Sequence, residues 1–387
     1  MHALIDLRWM TPGFAGGIEH QMRAFVETLL RVDTANRYSV LLPSEVLCDF
    51  AADDRPNFSF LAADGPGYYL ERGLWYLSGR RGAFRSPALA RLSARVDVVY
   101  SAAGFPSSDF AALPGVVSVP DLQHEYLPDL FAPHELELRR AGYRKAIASA
   151  ARVCAISEFT RQSILETCAE AADKVSVTPL AVQPALERLA GAPPAAEALR
   201  RFGLEPGYLY YPANTWAHKN HAALLRALAE LARADIRPLL VCSGSPKEAQ
   251  AELEGLAVAL GLEGQVRFLG YLAIEDVATL YAHAAALVFP SLYEGFGMPV
   301  LEAMRFGCPV ACSRAASLPE IAGEAALFFD PRDPADIAAA LRQLLAQPEL
   351  RKEFAARGLK QAARFSWLRH TLAVLDALRR AAGARHA

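Results

Sequence analysis

One pattern governs what this chain can become. Short apolar runs of strand length, each followed by a loop and a stretch with helical spacing of apolar residues, recur along almost the whole sequence. The first run covers residues 3–7, a Pro/Gly loop continues through Gly17, and residues 18–30 are amphipathic. Further runs at 38–42, 96–100, 115–119, 152–156 and 174–177 alternate with helical patterns. Runs this continuously apolar suit strands buried on both faces, as in a parallel sheet covered by helices.

The alternation breaks once. Residues 187–206 contain Gly191, Pro193-Pro194 and several alanines without a sustained strand pattern, and read as a linker with one short helix. Beyond it the runs resume at 208–211, 238–242, 266–269, 286–290, 309–312 and 326–329. At 387 residues the chain also exceeds the roughly 250–300 at which single cores stop growing. The expected fold class is therefore α/β, with two Rossmann-like, doubly wound parallel-sheet domains, one over 1–186 and one over 207–364. Residues 365–387 are expected to form a C-terminal helix, capped by Ser366, that packs back toward the first domain. Ligands of open parallel sheets lie outside the carboxyl ends of the strands, so two such sheets facing across a cleft predict a site made of those loops.

Bulk properties narrow the partners. A formal net charge of -2 gives no global attraction for nucleic acid. No run approaches the roughly 18 apolar residues of a spanning helix and the first residues lack a signal-like pattern, which predicts a cytoplasmic protein. Between residues 68 and 85, Tyr69, Trp75 and Tyr76 interleave with Arg72, Arg80, Arg81 and Arg85. That composition suits peripheral contact with a membrane or an anionic lipid-linked acceptor, and equally a core helix with a solvated basic end. Six scattered cysteines (Cys48, Cys154, Cys168, Cys242, Cys308, Cys312) lack the close pairs of a zinc site and read as reduced core thiols.

Four segments carry candidate chemistry. In the stretch from Phe289 to Met304, a buried strand ends, a loop holds Glu294, Gly295, Phe296 and Gly297, and Met298-Pro299 opens a helix bearing Glu302 in its first turn. Free backbone N–H groups at Gly297 and Met298 beside two carboxylates would suit a phosphate or sugar oxygens. Taken alone, an acid in a first turn only complements the helix dipole. The stretch from Tyr211 to His221 places Asn214, His218 and Lys219 between a strand and a helix beginning near Asn220, and a lysine there suits a diphosphate. After the apolar run at 115–119 come Pro120, Asp121 and His124. The first loop carries Gly16 and Gly17 before Ile18-Glu19-His20, without the Gly-x-Gly-x-x-Gly spacing of a nicotinamide or flavin enzyme.

The segment Glu294-Gly-Phe-Gly-Met-Pro-Val-Leu-Glu302-Ala resembles the signature of family 4 glycosyltransferases, in which two glutamates are separated by seven residues. The resemblance continues through Gly270-Tyr271-Leu272, Leu280-Tyr281-Ala282, Gly307-Cys308-Pro309-Val310 and Leu318-Pro319-Glu320, and looks like that of bacterial mannosyl and glucosyl transferases of surface polysaccharide assembly. It implies a GT-B fold and transfer of a hexose, mannose being one option, from a nucleotide-diphosphate sugar to a glycan or lipid-linked acceptor. Anomeric configuration would be retained, with no obligatory metal and no cofactor beyond the donor; GDP and UDP types stay open. By resemblance Glu294 contacts the transferred sugar, Glu302 the donor ribose, Lys219 the diphosphate and Tyr271 the base, with Gly16 and Gly17 approaching the diphosphate. His124 faces the sugar, and Asp121 orients its loop. Many relatives carry arginine where this chain has Asn214, itself counted among the donor-binding residues, so the second positive contact is missing or comes from elsewhere, His218 or Arg8 being the candidates. Ile156-Ser157-Glu158-Phe159-Thr160 also resembles the family and reads as structural, Ser157 capping a helix. The alternatives are a catalytically silent GT-B module that binds a glycan or partner, a sugar-nucleotide epimerase and a glycan phosphorylase.

Overall fold

The structure, a computed structural model, describes residues 1–10, 16–50, 55–64, 86–102, 104, 108–191 and 196–383. The aromatic and basic stretch at 68–85 and the side chain of Cys48 lie outside the described residues. The chain forms two units, one of Met1–Glu125, Phe131–Pro179 and Trp367–Ala387, the other of Tyr126–Leu130 and Leu180–Ser366.

In the first unit the apolar runs become β1 (His2–Asp6), β2 (Arg37–Leu42), β3 (Phe58–Ala62), β4 (Val98–Ser101), β5 (Gly115–Val119), β6 (Arg152–Ala155) and β7 (Val175–Val177). They pair in parallel in the order β3-β2-β1-β4-β5-β6-β7. Strand β3 is absent from the sequence reading. It is a five-residue edge strand in which Ser59 interrupts the apolar residues and only Phe58 is buried, so its apolar signal is weak.

The core of this unit shows why the C-terminal segment belongs to it. Met22, Phe25, Val26 and Leu29 fall on one face of helix Gly16–Val32. Val374, Leu375, Leu378 and Ala381 do the same on helix Trp367–Gly383. Both stripes pack with Ala3 and Ile5 of β1 in one cluster. Each fully buried Leu or Phe is worth about 1.5–3 kcal/mol relative to exposure, so this stripe is sufficient reason for the chain to return. His370 fastens the same helix, one ring nitrogen lying 3.1 Å from the Thr178 carbonyl.

The second unit holds β8 (Leu209–Pro212), β9 (Leu240–Ser243), β10 (Val266–Phe268), β11 (Ala286–Phe289), β12 (Val310–Ser313) and β13 (Ala326–Phe329). These too are parallel, in the order β10-β9-β8-β11-β12-β13. The unit begins at Leu180 instead of 207, and takes in the stretch read as linker. Leu180, Val182, Leu186 and Leu199 are buried, and Arg201 pairs with Asp276, so helices Pro184–Leu189 and Ala196–Arg201 are packed parts of it. Gly191 lies in a turn just after helix Pro184–Leu189, and Pro193-Pro194 lie outside the described residues.

Among the described residues no helix is long and apolar enough to cross a membrane. Cys154, Cys168, Cys242, Cys308 and Cys312 are free and buried, and burial raises the pKa of each thiol.

Candidate active site

The chain leaves β8 toward β9 and β10 on one side and returns through β11 toward β12 and β13 on the other. Loops after β8 and β11 therefore diverge, the geometry that opens a ligand crevice at the carboxyl edge of a doubly wound sheet. Lys219 stands on the first of these loops and Glu294 on the second.

Lys219 ends a short 3-10 turn, Ala217–Lys219. Asn220 follows in the left-handed region (φ 59°), where asparagine is among the few tolerated side chains. Its Nδ2 donates to the Pro290 carbonyl at 3.1 Å and to the Pro331 carbonyl at 2.7 Å. The Tyr211 hydroxyl donates to the Lys219 carbonyl, and the Leu292 amide to the His218 carbonyl. The two loops are thus tied by one backbone bond and by the Asn220 side chain. Across them the Lys219 ammonium donates to Glu294 Oε1 at 2.6 Å, with both side chains mostly shielded from solvent.

The Glu294 loop is braced from beneath. Ser317 Oγ donates to the carbonyls of Glu294 (2.8 Å) and Phe296 (2.9 Å). Gly297 has φ +98°, and a Cβ there would lie 2.4 Å from Leu318 Cδ2, so only glycine fits without rearrangement. The Phe296 ring is committed to an edge-on contact with Phe365, which leaves its backbone as the part available to a ligand. The helix runs Met298–Arg305, which puts Pro299 second and carries Glu302 into the second turn. Glu302 is buried, so the solvent-facing dipole role does not apply. Its carboxyl accepts from the Tyr281 hydroxyl at 2.9 Å and from Gln183 Nε2 at 3.5 Å. Burial pushes its pKa up to about 7 against the opposing pull of those two hydrogen bonds.

Asn214 has a different task from the arginine expected in relatives. Its Oδ1 accepts from the Ser245 amide at 2.7 Å, and Thr215 Oγ1 accepts from the Lys247 amide at 2.7 Å. Together they hold the loop after β9 against the loop after β8. Gly244 (φ +131°) permits this approach, because a Cβ there would lie 2.6 Å from the Ala213 carbonyl carbon. A cavity of about 330 Å³ opens here, lined by Thr215, Ser243, Gly244, Pro246, Phe268 and Gly270 among others. Tyr271 follows Gly270 and is 78% exposed.

Neither substitute considered for the missing arginine serves as a free cation. Burial, then the neighbouring Lys219, lowers the His218 pKa to about 4, so the ring is neutral near pH 7. Arg8, in the first unit, donates to both Asp6 oxygens (2.9 and 2.8 Å) and to Asp109 (2.7 Å). Burial alone would lower its pKa, and those carboxylates more than offset this. Tyr281, Gln183, Ser317 and Lys247 were not identified as site residues from sequence. Tyr281 had a signal in the Leu280-Tyr281-Ala282 motif, while the others become visible only through their contacts.

In the first unit Gly16 and Gly17 open helix Gly16–Val32, and residues 11–15 of that loop lie outside the described residues. His124 sits on the short helix Gln123–Tyr126, 2% exposed, with its ring stacked on Tyr143 at 5.2 Å. Burial lowers its pKa, and its Nε2 has no hydrogen-bond partner. Asp121 Oδ1 accepts from the Gln123 amide at 2.9 Å and so shapes the turn that carries His124. Ser157 Oγ accepts from the Thr160 amide at 3.0 Å and caps helix Glu158–Thr167.

The family model described as "Glycosyl transferases group 1" matches residues 200–361. O-antigen chain mannosyltransferase B of Escherichia coli is 34% identical over 253 residues, 65% of this chain and 66% of that protein. The serotype-specific mannosyltransferase WbdA of Escherichia coli is 32% identical over 223 residues, 56% of this chain and 27% of that protein, so the match spans about a quarter of that relative. D-inositol 3-phosphate glycosyltransferase of Saccharomonospora viridis is 30% identical over 358 residues, 89% of this chain and 76% of that protein. Among solved structures, sucrose-phosphate synthase of Thermosynechococcus elongatus superposes with TM-score 0.73 at 19% identity, over 99% of this chain and 100% of that one. Anabaena HepE in complex with UDP and glucose gives TM-score 0.71 at 17% identity, over 98% and 99%, and both likenesses speak to the fold. With the paired loops at the switch point of its second sheet, the signature spanning Glu294 and Glu302, and a relative aligned along most of both chains, this protein belongs to the glycosyl transferases group 1 family.

Proposed function

We propose that this protein transfers a hexose, mannose as the first candidate, from a nucleoside-diphosphate donor to a glycan or lipid-linked acceptor, with retention of anomeric configuration. The observation that carries the reading is the Lys219–Glu294 contact at the switch point of the second sheet. Cleavage of the bond between sugar and diphosphate creates positive charge on the sugar and negative charge on the departing diphosphate. A carboxylate beside one and an ammonium beside the other stabilise both developing charges, and the shielding of the pair from water strengthens that effect.

The remaining assignments follow the chemistry of each group. Amides at Gly297 and Met298, with the backbone of Gly295 and Phe296, suit phosphate or sugar oxygens at a helix start. Glu302, held near neutrality by burial, suits a ribose hydroxyl, since it can donate as well as accept. Tyr271 offers an exposed ring to the base. His124 is assigned to sugar hydroxyls, supported by its buried and unpaired Nε2, with Asp121 shaping its turn. The mannose preference draws on the mannosyltransferase names of the Escherichia coli relatives.

The test is a calorimetric and thermal-shift panel of GDP, UDP, dTDP and ADP with their sugar conjugates, followed by NMR of the product's anomeric centre. Selective stabilisation by one nucleotide, and a product of unchanged configuration, is the expected result. A folded protein that binds none of them would sink the reading in favour of a silent glycan-binding module.

A further inference from the structure

The Lys219–Glu294 pair carries no net charge, yet a nucleoside diphosphate brings several negative charges to its surroundings. The first residues of the loop after β9 cannot supply the deficit from their backbone. The Gly244 amide donates to the Gly270 carbonyl, the Ser245 amide to Asn214 and the Lys247 amide to Thr215, and Pro246 has no N–H. The amides of Gly244, Ser245 and Lys247 are therefore committed, and this first part of the loop offers no backbone donor to an anion. What the loop presents instead is the Lys247 ammonium, 5.2 Å from the centre of the Trp216 ring. No carboxylate is among the ion-pair partners described for it, unlike Arg201 and Arg305 of the same unit. Trp216 itself accepts at its carbonyl from the Lys219 amide, so both lysines are anchored to one short loop.

We propose that Lys247 supplies the second positive charge to the diphosphate of the donor, held over Trp216 at the rim of the cavity lined by Thr215, Gly244 and Pro246. The role that an arginine at position 214 would have filled has moved to the neighbouring loop, and Asn214 now fixes that loop in place. A competing cation, Arg314, follows β12 and lies over Phe328 of the edge strand β13, on the far side of the switch point from β9. The inference rests on the nucleotide-sugar reading above and adds a phosphate-specific residue to it.

The experiment is calorimetry of GDP against GMP and UDP against UMP, on wild type, Lys247→Met, Lys247→Arg, Arg314→Met and Lys219→Ala. Lys247→Met is expected to weaken the diphosphate about tenfold, the size of one charge-assisted contact, and the monophosphate far less. Lys247→Arg is expected to restore most of the loss, and Arg314→Met to change neither ligand. If Lys247→Met binds diphosphate like wild type while Lys219→Ala fails, the role of Lys247 is overturned and the transferase reading stands. Equal weakening of mono- and diphosphate in Lys247→Met also overturns it, because that pattern marks a loop-packing residue. Failure of wild type to bind any of the four nucleotides overturns the donor reading together with this inference.

Discussion

The two units have the same strand order about their central strand and opposite chemistry at its end. In the first, Arg8 stands two residues past β1, clamped by Asp6 and Asp109, two carboxylates on one cation. In the second, the loop past β8 presents Lys219 against a single carboxylate, with neutral His218 beside it. A cation already shared by two carboxylates has little left for an anionic ligand. One matched to a single carboxylate can be redirected when a ligand arrives, provided the pair is shielded but not sealed. Topology therefore offers both units a crevice, and among the described residues the loops give the second a one-to-one charge pair where the first has a cation held by two carboxylates.

The comparison breaks most visibly at that pair. Lys219→Ala and Glu294→Ala are each expected to lower turnover by about 10²–10³ with folding intact, as for other groups that stabilise developing charge. Initial rates with the donor found by the nucleotide panel, together with circular dichroism, check this; unchanged turnover in both variants would remove the site from the second unit. Next in size is the linkage of Glu302. Its folded pKa, about 7, lies above the ordinary 4.5, so between those values the folded state holds a proton that the unfolded chain has released. Stability attributable to this group is present below about pH 4.5 and is lost as pH rises through about 7, by about 3 kcal/mol in total. Denaturant midpoints measured from about pH 5 to pH 8 should fall for wild type and stay flatter in Glu302→Gln.

A smaller effect tests the brace under Glu294. Gly297→Ala combines a positive φ with a contact on Leu318 and should cost about 1–3 kcal/mol. It should also raise KM for the donor, and a KM unchanged at full fold would mean that the loop's shape is irrelevant to binding. Smallest is the same operation on the other unit. Arg8→Met leaves Asp6 and Asp109 without their shared cation and should cost about 1–2 kcal/mol, discounted for partial exposure. Nucleotide affinity should not move, and if it falls with the Lys219 variant, the contrast between the units is wrong.

Much of this was legible in the sequence because its signals are local. Twelve of the strands fall in the apolar runs read from sequence, and the strand that escaped notice, β3, is an edge strand of which only Phe58 is buried. The spacing of Glu294 and Glu302 could be read directly, and so could the strand-to-helix setting of Lys219. What misled was punctuation: a turn signal such as Gly191 does not say locally whether the turn ends a domain or follows a helix that packs into it. Asn214 misled for a related reason. Its residue type is compatible with a ligand contact or a loop clamp, and the Ser245 amide that shows the clamp is thirty-one residues away.

The sequence by itself determined the two parallel α/β arrays, the polar loops at their strand ends and the family signature, since periodicity, turn chemistry and motif spacing act over a few residues. Only the tertiary structure decided which of those loops touch. It paired Lys219 with Glu294, buried Glu302 beside Tyr281 so that its pKa rises to about 7, held Arg8 between Asp6 and Asp109 and set Lys247 over Trp216. Charge and pKa depend on distance and on the exclusion of water, and both are properties of residues brought together from far apart in the chain.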